Sequence, residues 1–247
     1  GRDKMKEENY DLIRSLEDDN WWYKARRDLL IRILKSLNRK FDRCLDLGCG
    51  VGSNFQVLQK FSKEVIGVDY SGKAVSYSKR HKYKNVKQMS ATNLKFRKEC
   101  FDLVVCLDVL EHLDDKKAIS EIYRVLRKEG VLIFSVPAHK YLWGPTDIIS
   151  EHKKRYEKED LKYLLEKKFP IQKLNYWNLT MFFPNFLLIK FLKLIKENNK
   201  PKNTLYLTPK FLNNIIYKTL LFENYLFLKK NIIQGVSLVG ICRKNEL

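Results

Sequence analysis

Acidic residues, cysteine and histidine are scarce in this chain. Its 247 residues hold 29 Asp and Glu against 48 Lys and Arg, with five cysteines and four histidines. None of Cys44, Cys49, Cys100, Cys106 and Cys242 forms a C-x-x-C pair. Structural zinc sites and disulfide frameworks rely on such spacings, so no metal is expected, and buried reduced thiols are. The chain also lacks any run of about 18 uncharged apolar residues, the length a membrane-spanning helix needs. No basic leader with an apolar stretch opens it. A cytoplasmic location is expected, with peripheral attachment at the inner membrane face as the alternative. Internal repeats and low-complexity tracts are absent from the sequence.

The imbalance leaves a net charge of +19. Such a surface attracts phosphates, whether in nucleic acid, anionic lipid or a phosphorylated substrate. A composition rich in Lys, Asn and Ile also produces this charge without any partner. The length suits one α/β domain with additions, and 45% hydrophobic residues suffice for a sizeable core.

Residues 1–38 read as an N-terminal helical segment, with Trp22, Arg26, Leu29, Leu30, Ile33 and Leu37 at helical spacing. Residues 39–247 read as one α/β domain. Apolar runs ("RCLDLG", "EVIGVD", "NVKQMS", "FDLVVCLDVL", "GVLIFSVP") alternate with amphipathic helices, the pattern of a parallel sheet covered on both faces. Gly130 stands where a helix C-cap calls for positive φ. Residues 180–232 form a basic amphipathic helical insertion before the last strand, "GVSLVGICRK".

The stretch "CLDLGCGVGSN" carries the strongest chemical signal. A strand that ends in glycines and feeds a helix offers bare backbone and partial positive charge to a ligand. Gly48, Gly50 and Gly52 do not follow the G-x-G-x-x-G spacing of a dinucleotide site. Asp46, two residues before the first glycine, suits a ligand with an amino-acid part. Asp69 ends the next strand, where an acid accepts hydrogen bonds from ribose hydroxyls.

These residues resemble the class I S-adenosylmethionine (SAM)-dependent methyltransferases. "LDLGCGVGSN" and "VIGVDYS" are similar to the family's first two motifs, "MSATNL" occupies the adenine-contact position, and "FDLVVCLDVLEHL" resembles the fourth motif. The resemblance implies a Rossmann-like, seven-stranded, mostly parallel sheet with the last strand antiparallel, and SAM as cofactor. It implies that Gly48 and Gly50 contact the methionine part and that Asp46 lies near its amino group. It further implies that Asp69 holds the ribose and Tyr70 flanks the adenine. Ser90, where many members have Asp, is expected to serve the adenine amino group with the Ala91 and Thr92 amides. Asp108 is expected to face the methionine part or the acceptor, while Glu111 and His112 either cap the next helix or act directly.

A hydroxyl acceptor needs a base, and the segment after the fifth strand supplies candidates: His139, Asp147 and His152. An Asp147–His152 pair would orient the imidazole and raise its basicity. Bracing of the next helix is the alternative. A subset of the superfamily shares the aromatic–Arg segment Trp21–Arg27, the lid Pro137–Tyr156, and Glu223 with Gly235–Leu238. That resemblance names no acceptor. Nine lysines punctuate the apolar insertion. This fits a wall over the site, a homodimer face or contact with an anionic membrane. The expected function is methyl transfer to a hydroxyl or amine of a small-molecule, glycan or lipid-linked acceptor. The alternatives are a tRNA methyltransferase of the wobble-uridine type and a non-catalytic SAM-binding partner subunit.

Overall fold

The computed structural model describes residues 14–81, 83–194 and 208–245. The start of the N-terminal segment and the middle of the insertion, including Lys196 and Glu197, lie outside the described residues.

Seven strands build one sheet: β1 (Phe41–Leu47), β2 (Ser62–Asp69), β3 (Val86–Gln88), β4 (Phe101–Leu107), β5 (Leu126–Pro137), β6 (Ile171–Trp177) and β7 (Ser237–Arg243). Their spatial order is β3-β2-β1-β4-β5-β7-β6. The β3-β2-β1-β4-β5 ladders are parallel, and β7 runs antiparallel between β5 and β6. The parallel part is what the alternation of apolar runs predicts, and the Rossmann-like seven-stranded arrangement is what the resemblance implies.

Side-chain alternation sorts the strand residues into two cores. Cys44, Leu103, Val105, Ile133 and Ile241 pack with helix α1 (Trp21–Ser36) on one face. Leu45, Leu47, Val104, Cys106 and Phe134 pack on the other. There they meet α4 (Asp115–Val125) and α6 (Lys158–Glu166) through Ile119, Ile122, Leu161 and Leu165. The short helices α2 (Phe55–Leu58) and α3 (Gly72–Arg80) follow β1 and β2. All five cysteines are free and buried.

Helix α1 begins at Asn20, whose side chain accepts from the amide of Trp22 at 2.8 Å. One face buries Trp21, Ala25, Leu29, Leu30, Ile33 and Leu34. Each such large apolar side chain contributes about 1.5–3 kcal/mol on burial. Trp22 and Arg26 lie outside this buried set. Helix α8 (Lys210–Phe227) packs along α1, and its Asn224 donates to the Ala25 carbonyl at 2.8 Å and accepts from the Trp177 indole at 2.8 Å. Between β5 and α6 lies the short helix α5 (Pro145–Ile149), and α7 (Phe182–Leu194) opens the insertion. Glu223 accepts from the amides of Leu179 and Thr180 at 2.8 and 3.2 Å, which pins the start of α7.

Gly130 departs from its expected role. Helix α4 ends at Val125, and positive φ falls on Glu129 (60°) rather than on Gly130. A Cβ at position 130 would lie 2.8 Å from the Arg127 carbonyl oxygen, so glycine is there for close backbone approach.

Candidate functional site

Parallel pairing of β1 with β2, with Leu47 opposite Val68, sets the glycine turn beside the end of β2. The amides of Gly48 and Cys49 both donate to the Val68 carbonyl, at 2.7 and 3.0 Å. Gly48 has φ 74°, and a Cβ there would lie 2.2 Å from Val109 Cγ2. Gly50 has φ 52°, and a Cβ there would meet nothing within 4 Å, so bare backbone faces open space. Asp69 accepts from the Gly50 amide at 2.9 Å and from the Ser71 amide at 2.8 Å. Each of its oxygens keeps a lone pair for a ligand. Burial raises its pKa against these bonds.

A cleft of about 240 Å³ opens here, lined by Gly48, Asp69, Tyr70, Met89, Ala91 and Asp108 among others. Tyr70 is 67% exposed and forms its rim. The expected adenine contacts need adjustment. The Ser90 hydroxyl pairs with the Thr92 hydroxyl at 2.8 Å and accepts from the Thr92 amide at 3.2 Å. Neither residue lines the cleft, whereas their neighbours Met89 and Ala91 do. A short local turn has engaged the hydroxyls, and the apolar neighbours form the wall.

Asp46 is buried beneath the turn, and its Oδ2 has no hydrogen-bond partner among the described residues. Burial pushes its pKa up to about 7, opposed by Asn54 and Arg26. Glu17, which the sequence did not single out, is also buried with Oε2 unpartnered, and burial raises its pKa. Two buried carboxyl groups, each with one oxygen unpartnered among the described residues, suit an ammonium ion. The acids, the bare Gly50 backbone and the Asp69 lone pairs together fit the cofactor that the sequence implies.

Asp108 sits at the end of β4 with φ 55°. Its Oδ2 lies 2.5 Å from Arg26 Nη1, and its Oδ1 accepts from the Ser135 hydroxyl at 2.9 Å. Arg26 also stacks over Trp22, 4.5 Å from the ring centroid. The carboxylate therefore ties α1 to the sheet across the cleft.

A larger cavity of about 540 Å³ adjoins the first. Asp108 and His112 line both. Glu111, His152 and Arg155 line it together with Met181, Leu188 and Ile189 from the insertion. His152 Nδ1 lies 2.8 Å from Asp147 Oδ1, and Arg155 Nε donates to both Asp147 oxygens at 2.8 and 2.9 Å. Burial acts to raise the Asp147 pKa, but His152 and Arg155 outweigh it and hold it below the usual carboxylate range. The acid thus stays ionised and fixes the imidazole orientation. Tyr156 braces the lid instead, its hydroxyl donating to Asp115 at 3.0 Å.

His139, expected among the bases, is not in this constellation. Its ring stacks between Tyr141 and Tyr176, with centroids 4.8 and 4.9 Å away, and it lines neither cleft. Strand β5 ends at Pro137, and the next residues turn the ring into an aromatic cluster at the edge of β6. Burial lowers its pKa, so the sandwich favours the neutral ring.

Comparisons with known proteins bear on this geometry. Residues 45–134 match the family described as "Methyltransferase domain". An uncharacterized protein of Methanocaldococcus jannaschii is 36% identical over 110 residues, 44% of this chain and 47% of that protein. A "Probable S-adenosylmethionine-dependent methyltransferase" of Mycolicibacterium smegmatis is 27% identical over 164 residues, 62% of this chain and 61% of that protein. The chain therefore matches only about half to three-fifths of the length of these relatives. Among solved structures, the N-methyltransferase NodS of Bradyrhizobium japonicum with S-adenosyl-L-homocysteine superposes with a TM-score of 0.58. It covers 93% of this chain and 91% of its own at 14% identity, a likeness of fold. The glycine turn and the strand-end acids Asp46, Asp69 and Asp108 all fall inside the span, residues 45–134, that matches a methyltransferase domain, and the Mycolicibacterium smegmatis relative is named as dependent on S-adenosylmethionine.

Proposed function

We propose that the protein methylates a hydroxyl or amine of an amphipathic small-molecule or lipid-linked acceptor bound in the larger cavity. One observation carries this reading: the donor cleft and the larger cavity meet at Asp108 and His112, with His152 in the wall beyond. When bound, S-adenosylmethionine supplies a methyl group already electrophilic on a sulfonium. The chain's own task is then alignment, exclusion of water and removal of the acceptor proton.

Asp69 and the Gly48–Gly52 turn hold the donor. Arg26 and Trp22 close the site from α1. Asp147 accepts the Nδ1 hydrogen of His152, which leaves Nε2 unprotonated and able to take a proton from the acceptor. An amine acceptor arriving neutral needs only the alignment. The mixed polar and apolar lining of the cavity suits an amphipathic acceptor. Helix α7 joins this wall to the outside: Ile189 is buried in it, while Phe183 and Leu187 are 61% and 64% exposed. Exposed Lys190 lies on the same helix, and Lys210 and Lys218 are exposed on α8, a combination of apolar and basic exposure that suits a peripheral membrane surface. Tyr141 and Trp143 do not line the cavity, so the lid aromatics leave it open, which favours catalysis over a purely binding role.

The test is formation of S-adenosylhomocysteine from S-adenosylmethionine with fractionated lipid-linked and soluble acceptors. Turnover that depends on His152 and on an extractable acceptor supports the reading. Donor binding without turnover on any fraction removes the catalytic part.

A further inference from the structure

Glu111 presents an anomaly in the larger cavity. It is fully buried, and neither carboxylate oxygen has a hydrogen-bond partner among the described residues. Leaving a buried polar group unpaired is costly, and more so when it is charged. We propose that Glu111, His112 and His152 form a binding site for a borderline divalent metal ion of the zinc or cobalt class. One ligand atom from each residue lies within 4.8 Å of the others. The pair Glu111 Oε1 and His152 Nε2 is 3.8 Å apart. Two ligands with ~2.0–2.2 Å bonds to one ion sit roughly 3–4.4 Å apart, so a small contraction closes the set.

The surroundings complete the design of such a site. His152 offers Nε2 because its Nδ1 faces Asp147 at 2.8 Å, the carboxylate–imidazole arrangement that orients metal-bound histidines. Arg155 holds that carboxylate from the other side. The Lys153 amide donates to the Glu111 carbonyl at 2.8 Å, which fastens the lid to the turn after β4. The His112 and His152 rings meet edge to face with centroids 4.9 Å apart. Two imidazoles and one carboxylate favour a borderline metal over Mg²⁺ or Ca²⁺, which prefer all-oxygen sets. All three residues line the cavity, so the remaining coordination positions face an acceptor. With a metal present, His152 is a ligand rather than the base. A bound acceptor hydroxyl then releases its proton to water at lower pH than when free.

The site stands on geometry, and its test uses neither S-adenosylmethionine nor acceptor, so its failure would leave the methyltransferase reading intact. Metal-freed protein is titrated with Co²⁺ alone, and Zn²⁺ and Mg²⁺ are then added as competitors. Expected is saturable uptake of one equivalent at micromolar concentration, with visible ligand-field bands, displaced by Zn²⁺ and not by Mg²⁺. His112→Gln and Glu111→Gln should each weaken binding by at least ~10-fold, since even an outer partner of a ligand is worth about 10–100-fold. His81→Gln, at an exposed position on α3's end, should leave it unchanged. If a site variant fails to fold, X-ray absorption of the cobalt-loaded wild type must report two imidazole nitrogens. No saturable uptake by the wild type, uptake that folded variants retain, or coordination without imidazole would overturn the proposal.

Discussion

The two halves of the site are built from different materials. The donor half is mostly backbone: three glycines at positive φ, two strand ends in parallel register, and one carboxylate holding a turn amide. The acceptor half is mostly side chains, drawn from the N-terminal helix, the turn after β4, the lid and the insertion. Gly50 and Asp69 are close in the chain, whereas Arg26 and Asp108 meet across 82 residues. A site made of backbone is constrained by local conformation, and a site made of side chains by packing at a distance. The first therefore leaves a strong pattern in the sequence and the second a faint one.

If the halves are separable, His152→Ala should lower turnover by about 10²–10⁴-fold, the usual loss of a general base. Calorimetric affinity for S-adenosylmethionine should not move. A parallel fall in donor affinity would break the distinction.

Asp46 tests whether the donor half is strained until filled. Its folded pKa of about 7 lies above the ordinary 3.8. Between these values the folded state holds a proton that the unfolded state has lost, so this group's contribution to stability falls as pH rises from about 4 to about 7 and is level above that. The span is worth on the order of 4 kcal/mol at most. Asp46→Asn should remove that downward slope in thermal unfolding of the donor-free protein between pH 5 and 8. It should also weaken donor binding. A wild type and variant with identical pH profiles would place the strain elsewhere.

Asp69→Ala should raise the dissociation constant for S-adenosylmethionine roughly tenfold to a hundredfold, from the loss of about 1.5–3 kcal/mol of charged hydrogen bonding. Unchanged affinity would mean that the turn alone holds the donor. The smallest effect on stability belongs to the outer face of the acceptor half. Phe183→Ser with Leu187→Ser should change folding stability by only about 0.5 kcal/mol per site. The pair should reduce flotation with vesicles of anionic lipid, which the wild type should join. Equal flotation of both proteins would sever the insertion from any membrane role.

The candidate residues show how unevenly the sequence could be read. Asp147 and His152 were legible because they are near neighbours in one polar segment. His139, in the same segment, was not placed, because nothing local reveals that Tyr176 from β6 packs against its ring. Ser90 was read as an adenine contact because it stands where many members of the resembling family have Asp, and its hydroxyl pairs with that of Thr92. Glu17 left no pattern, since its role arises from burial beside residues far along the chain. Glu223 stood out only by resemblance, and its function is to cap the approach to α7.

Apolar periodicity and the glycine–acid spacing determined that buried parallel strands alternate with helices and that a ligand turn follows β1, because strand burial and positive φ are demands that individual residue types meet locally. Tertiary structure alone decided that Arg26 bridges to Asp108, that the clefts meet at His112, and that Glu111, unpartnered among the described residues, lies within reach of two imidazoles. Those facts depend on which side chains the folded chain brings within a few ångströms, a property of distances between segments rather than of either segment's composition.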